Sequence, residues 1–471
     1  MTETWEGASL LTRIGNAVWG WPLMILFLGV GLLFTIRLRG IQWRYLGRAL
    51  RSIFQDDGGK GDASPYAALC TALAATIGTG NIVGVATALC IGGPGALLWM
   101  LIAAVFGMAT QYAEGFLAVK YRRKSGGRWH GGPFYYIEYG LGKRFRWLAV
   151  SFAGIGALVG LLGVGTVTQV NSITSSVENF FDVQRAHIAF SLAGRGYSWA
   201  VVISGVLVAF FSALVLIGGV KRIMKVCETL VPLMSAAYVL CCVLILVLCA
   251  GKIPAALRLI GTSAFAPRAA LGAGAGISLR MAMRMGIGRG VLTNEAGVGS
   301  TPIAAAAART NDPVRQGLVT MTGTFIDTIV ICSMTGLCLV LTGAWNMPGL
   351  EGVQVTDYAW RTTLPWAQSL SSFVLMLCLV FFAFATIIGW NFYAESCLAY
   401  LVKDNRRAVK IYRALYIVAI IGGPYLTVSA AWEMADIFNA LMALPNLTAL
   451  LLLHKTVVRD TQYYLRRTRG K

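Results

Sequence analysis

Two glycine-rich interruptions break an otherwise apolar chain: Gly78-Thr79-Gly80-Asn81, near the middle of the run 66–90, and Gly272-Ala-Gly274-Ala-Gly276, inside 269–308. Each Gly costs a helix about 1 kcal/mol relative to Ala, and backbone groups freed at membrane depth survive only against protein or a wet cavity. Where a helix unwinds at Gly78 to Asn81, its amide N–H groups and the positive end of the next half-helix can receive a carboxylate. Carbonyls released just upstream, at Ala74 and Ile77, can coordinate a bare monovalent cation. An anion site beside a cation site is what a zwitterion travelling with a metal ion requires. Close helix packing also uses glycine, and either break taken singly fits that reading. Two interrupted helices in corresponding positions of two halves are instead the sign of an inverted-repeat carrier, with a site between the breaks that Gly276 would share.

Other polar side chains lie in the same apolar background. Gln169, in Gly165-Thr-Val-Thr-Gln-Val-Asn171, offers a carbonyl to an ammonium group, or else a hydrogen bond between helices near the outer surface. Thr386 and Trp390 are four apart and share a helix face, where they either line a cavity or, respectively, bond the i−4 carbonyl and pack. Asp327 sits in the apolar segment Thr324 to Val330, where an ionised group costs at least ~2.5 kcal/mol at the bilayer centre unless paired or wet. It is a coupling candidate, a partner for Arg284 or Arg289, or a residue nearer the surface. Glu295 and Glu114 read as boundary or gate groups. Asn446, after Pro445, is placed to satisfy broken backbone in its own segment.

The elements that must carry these residues are membrane helices. Of 471 residues, 57% are hydrophobic and 13% charged, with a mean hydropathy of +0.67, far from a soluble composition. Apolar runs predict an all-α polytopic protein of about eleven transmembrane helices, at 16–36, 66–90, 96–121, 147–170, 199–218, 225–250, 269–308 (broken), 313–343, 368–400, 411–430 and 434–454. They form one domain: a peripheral first helix, repeats at 66–250 and 269–454, and a basic tail at 455–471. The net charge of +20 suggests nucleic-acid binding until the cations are located. Of the 40 Lys and Arg, 33 fall in alternate segments on one side and 7 on the other, which excludes that partner and predicts an external N-terminus and a cytoplasmic C-terminus. The 10 Cys are scattered and the 3 His lie in predicted loops or at a boundary, so neither a metal centre nor an enzymatic cluster is expected.

Along nearly its whole length the chain resembles the alanine or glycine:cation symporter family, also called the sodium:alanine symporters. The stretches that carry the resemblance are Ala75-Thr-Ile-Gly-Thr-Gly-Asn81, Gly92-Gly-Pro-Gly95, Gly131-Gly-Pro-Phe-Tyr-Tyr136, Asn294-Glu-Ala-Gly-Val-Gly-Ser-Thr-Pro302, Thr324-Phe-Ile-Asp-Thr328, Thr386-Ile-Ile-Gly-Trp390 and Leu441-Met-Ala-Leu-Pro-Asn446. The resemblance implies a leucine-transporter-type fold with a five-plus-five inverted repeat, alternating access, and sodium-driven uptake of alanine or glycine across a bacterial or archaeal cytoplasmic (inner) membrane. It implies that Gly78, Thr79, Gly80, Asn81, Gln169, Gly276, Thr386 and Trp390 surround the substrate, with Gln169 facing its ammonium and the Trp390 indole closing the pocket. Sodium would be held by the Ala74 and Ile77 carbonyls and the Thr386 hydroxyl. Ala385 departs from the usual Ser, which bears on one sodium ligand. A proton-coupled carrier or exchanger on the same fold, using Asp327, is the alternative.

Overall fold

The computed structural model describes residues 15, 18–56, 58–182, 186–192, 195–265, 279–426 and 428–469. Helix α1 spans Trp21–Arg37; after a left-handed turn at Gly40, the short α2 covers Leu46–Ile53. The next span is broken, with α3 (Pro65–Thr76) and α4 (Gly80–Gly92) bent by 54°. Ser64 starts α3 by accepting the Ala67 amide, and Pro65 fits its first turn. There follow α5 (Gly95–Tyr121), α6 (Arg146–Leu162), α7 (Val167–Phe181), α8 (Trp199–Ile217), α9 (Gly219–Leu248) and α10 (Ile253–Phe265). A second broken pair, α11 (Leu279–Asn294) and α12 (Thr301–Ala305), precedes α13 (Pro313–Thr342), α14 (Val353–Thr363), α15 (Gln368–Leu401), α16 (Arg406–Gly422) and α17 (Val428–Arg469).

Among the described residues, seven helices are long and apolar enough to cross a membrane, or eight when α3 and α4 count as one. Of the other expected spans, α1 and α16 have 17 residues each, and the seventh is represented by α11 and α12. Antiparallel strands β1 (Arg123–Ser125) and β2 (Arg128–His130) make a hairpin at the end of α5. Gly126 and Gly127, at φ 55° and 83°, supply the two left-handed residues its tight turn demands.

Several expectations about the elements change. The described part of the seventh span is interrupted at 295–300, where Glu295, Gly297 and Gly299 have φ of 54°, 87° and 92°. Gly272 to Gly276, Gly276 included, lie outside the described residues. Because α11 runs unbroken from Leu279 to Asn294 and packs Ala282, Met285 and Gly286 against Gly92 and Ala96, Arg280, Arg284 and Arg289 belong to the end of the bundle opposite the basic loops. The basic excess shrinks by these three and keeps its sign. The fourth span, expected at 147–170, continues to Phe181 and is interrupted at Gly163 to Thr166. Pro445 lies inside an unbroken α17, which runs well beyond 434–454.

Candidate binding site between the helix breaks

The unwinding after Thr76 follows from where the amides go. Ile77 leaves the helix at φ −75°, ψ 93°. The Gly78 amide donates to Asn81 Oδ1 at 2.9 Å, and the Asn81 amide donates to the Gly78 carbonyl at 3.2 Å. In a continuous helix those amides would satisfy the carbonyls of Ala74 and Ile77, so both carbonyls lose their helical donors. Thr79 then turns the chain back into α4, whose first turns are π-helical from Gly80 to Gly84. The break thus leaves acceptors at the end of α3 and a positive helix start at α4 a few residues apart.

A cavity of about 30 Å3 lies against this break, above the ~10–15 Å3 one water needs. Gly78, Thr79 and Gly80 from the α3–α4 break, Gln169 from α7, Thr386 from α15 and Glu295 from the second break all line it. Gln169 is buried in the centre, not near a surface, because the interruption at 163–166 redirects α7; its Oε1 accepts the Thr79 hydroxyl at 3.2 Å. The Thr386 hydroxyl donates to the i−4 carbonyl of Phe382 at 3.1 Å, while its oxygen faces Gly78. A Cβ at position 78 would sit 2.6 Å from that oxygen, so glycine is needed for close approach. At the next contact along the same face, a Cβ at Gly389 would lie 2.9 Å from the Ala75 nitrogen.

Asn81, Asp327 and Trp390 stand behind this lining. Asn81 Nδ2 donates to Asp327 Oδ1 at 2.7 Å, and the Thr328 hydroxyl donates to Asp327 Oδ2 at 2.6 Å. Asp327 is fully buried in a π-helical stretch of α13, Phe325–Cys332. Arg289, an expected partner for it, instead faces Asp436 of α17 at 3.9 Å and lies over the Trp432 ring at 5.6 Å. Trp390 does not line the cavity; its indole donates to Glu295 Oε1 at 2.9 Å, and Ser300 bonds the other carboxylate oxygen. The second break is also held by Glu114, whose Oε1 accepts the Gly297 amide at 3.2 Å and Asn446 Nδ2 at 2.6 Å. Asn446 donates to the Gly297 carbonyl as well, at 2.9 Å, so it satisfies the backbone of the seventh span and not of its own.

The reading of the sequence missed Asp436, Trp432 and Asn439, which complete the cavity wall from α17 together with Arg289 of α11. No local motif marks them. A second cavity of about 580 Å3 shares Gly84, Arg289 and Trp432 with the first and opens toward Glu351 and Cys90, at the end opposite the basic loops.

Residues 4–471 match the model of the sodium:alanine symporter family. The chain belongs to that family. This symporter is 49% identical to an uncharacterized transporter of Haemophilus influenzae, over 98% of this chain and 96% of that one. It is 41% identical to the sodium/alanine symporter AgcS of Methanococcus maripaludis, over 97% of each. The crystal structure of MhsT in complex with L-phenylalanine superposes with a TM-score of 0.58 at 14% identity, covering 84% of this chain and 90% of that one. That likeness establishes the leucine-transporter-type fold of this symporter. It is a multi-pass amino-acid:cation symporter and not an enzyme.

Proposed function

We propose that the chain takes up a small neutral amino acid, alanine or glycine, by sodium symport and alternating access across the cytoplasmic (inner) membrane. The observation that carries this reading is the unwound stretch Ile77 to Thr79: two carbonyls lose their helical donors there, beside a small cavity lined by the start of α4 and by Thr386. The Ala74 and Ile77 carbonyls with Thr386 hold sodium, which backbone oxygens can do without a hydroxyl at Ala385. The amides of Thr79 and Gly80 receive the substrate carboxylate, and Gln169 faces its ammonium. A side chain larger than methyl has little room beside Gly78. Trp390 and Glu295 close the site toward the basic end, which faces the cytoplasm. Residues 66–250 and 269–454 are the two repeats, with 16–36 added before them and 455–471 as a cytoplasmic tail.

Proton coupling is the second reading, favoured by one feature: the fully buried Asp327 carboxylate is held by the neutral side chains of Asn81 and Thr328. Such a group needs a counter-ion or a proton. Uptake of labelled alanine into proteoliposomes separates the two. Sodium symport requires accumulation driven by an inward sodium gradient alone; equal uptake with potassium in place of sodium would end it, and uptake following a proton gradient would move the coupling to Asp327.

A further inference from the structure

A cavity remote from the transport path lies where α2, the first turn of α13 and the tail of α17 converge. It measures about 550 Å3, and Arg48, Arg51, Ser52, Arg315 and Tyr464 line it. Among the described residues no carboxylate lines it. Asp56, close in sequence, is paired with Arg309 at 2.8 Å, and Asp312 caps α13 by accepting the Val314 and Arg315 amides at 2.9 and 3.3 Å and bonds the Tyr464 hydroxyl at the cavity's edge. Arg48 donates to the Tyr464 hydroxyl at 3.1 Å and lies over its ring at 5.7 Å, while Arg315 reaches the Gln55 carbonyl. Three guanidinium groups therefore border one concave space.

The helix that supplies two of them is amphipathic. Ala49, Ser52 and Ile53 of α2 are buried, whereas Arg48 and Arg51 are exposed. Large aromatic side chains flank it without burial: Trp43 is 61% exposed and Phe54 76%. In water such exposure is costly, but at a bilayer boundary it is the arrangement of an interfacial helix, with aromatic groups among the acyl chains and arginines at the phosphates. The cavity lies at that level, since α1 ends at Arg37 and α13 begins at Pro313.

We propose that this cavity binds the phosphodiester headgroup of an anionic phospholipid, with Arg48, Arg51 and Arg315 as its ligands and Trp43 and Phe54 beside its acyl chains. Basic pockets at helix ends have the charge and depth for such headgroups, and guanidinium matches a phosphate through paired N–H donors. The bound lipid joins α2 to α13, the helix that carries Asp327.

The test uses the full chain in neutral detergent, supplied with phosphatidylglycerol or phosphatidylcholine and read by native mass spectrometry for retained lipid. Wild type retains phosphatidylglycerol in preference, and Arg51→Gln lowers that retention about fivefold, the worth of one cation near an anionic surface. The triple substitution Arg48→Gln, Arg51→Gln and Arg315→Gln abolishes the preference, and Arg51→Lys falls between Arg51→Gln and wild type. Arg51 is exposed, so its single variants keep the test valid if the triple variant does not fold. Unchanged retention in Arg51→Gln would overturn the proposal. So would displacement of phosphatidylglycerol by excess inorganic phosphate, which would make the cavity a site for the free anion.

Discussion

At the basic end of the bundle the chain segments leading out of both broken spans are stitched to one another, whereas at the opposite end, among the described residues, Arg289, Asp436 and Trp432 stand between the cavity and the space beyond it. Arg122, buried at the end of α5, donates to the carbonyls of Lys60, Ala306, Ala308 and Thr310 and lies over the Trp129 ring at 4.7 Å. Ala63 and Ala308 form a parallel bridge, with the Asp62 amide on the Ala307 carbonyl at 2.8 Å and the Arg309 amide on the Ala63 carbonyl at 2.7 Å. The β1–β2 hairpin covers this junction, with the Trp129 amide on Asp62 at 2.7 Å and Ser125 on Asp404. Beyond it, Arg413 forks onto Glu395 with both contacts at 2.7 Å. The opposite end has Arg289 and Asp436 at 3.9 Å, partly exposed, with Trp432 alongside. A hydrogen bond to a charged group is worth about 1.5–3 kcal/mol, and an exposed ion pair about 0–1 kcal/mol. Among the described contacts, the difference makes the opposite end the one that opens at lower cost.

The largest test of that asymmetry removes the clamp. Arg122→Ala removes a charged donor from four carbonyls, of which Lys60 and Ala308 keep the Thr310 amide, and uptake should fall by about tenfold as a few kcal/mol of closure is lost. Hydrogen exchange at 60–63 and 306–310 should rise with it; protection unchanged there would mean that Arg122 does not hold this end. Glu395→Gln should have a smaller effect. It weakens a bidentate pair next to the clamp without touching the backbone strip, so transport should drop severalfold while exchange at 60–63 stays slow. Fast exchange at 60–63 in this variant would merge the two devices into one. Arg289→Gln should do least, changing the initial uptake rate by no more than about threefold, as expected for a long and partly exposed pair. A loss as large as that of Arg122→Ala would abolish the distinction between the ends.

The first break was readable because Gly78-Thr79-Gly80-Asn81 interrupts an apolar run that has no other reason to be polar. The interruption at 295–300 went unread for a physical cause. Residues 280–294 are polar because α11 faces the cavity and packs on α5 through small residues, and hydropathy cannot separate such a helix from a loop. Gly297, Gly299 and Pro302, which mark the interruption, were in view as a motif but carried no periodicity. The bend at Gly163 to Thr166 had a local signal in its glycines, and it matters because it turns Gln169 inward. Nothing local announced Asp436 or the reach of Arg122 to carbonyls up to 188 residues away. Those contacts exist only once the broken spans are side by side.

The missing side chain at Gly78 has a consequence for how such a site changes over generations. Its wall there is a hydrogen atom, the smallest group the genetic code offers, and it already touches Thr386 across the gap. Any replacement of that residue adds volume, so under the proposed function this position works as a ratchet that can restrict the cargo but never enlarge it. A lineage that came to carry bulkier molecules would have to recede from the facing wall, at Thr386, Gln169 or the helices behind them, while leaving the glycine alone.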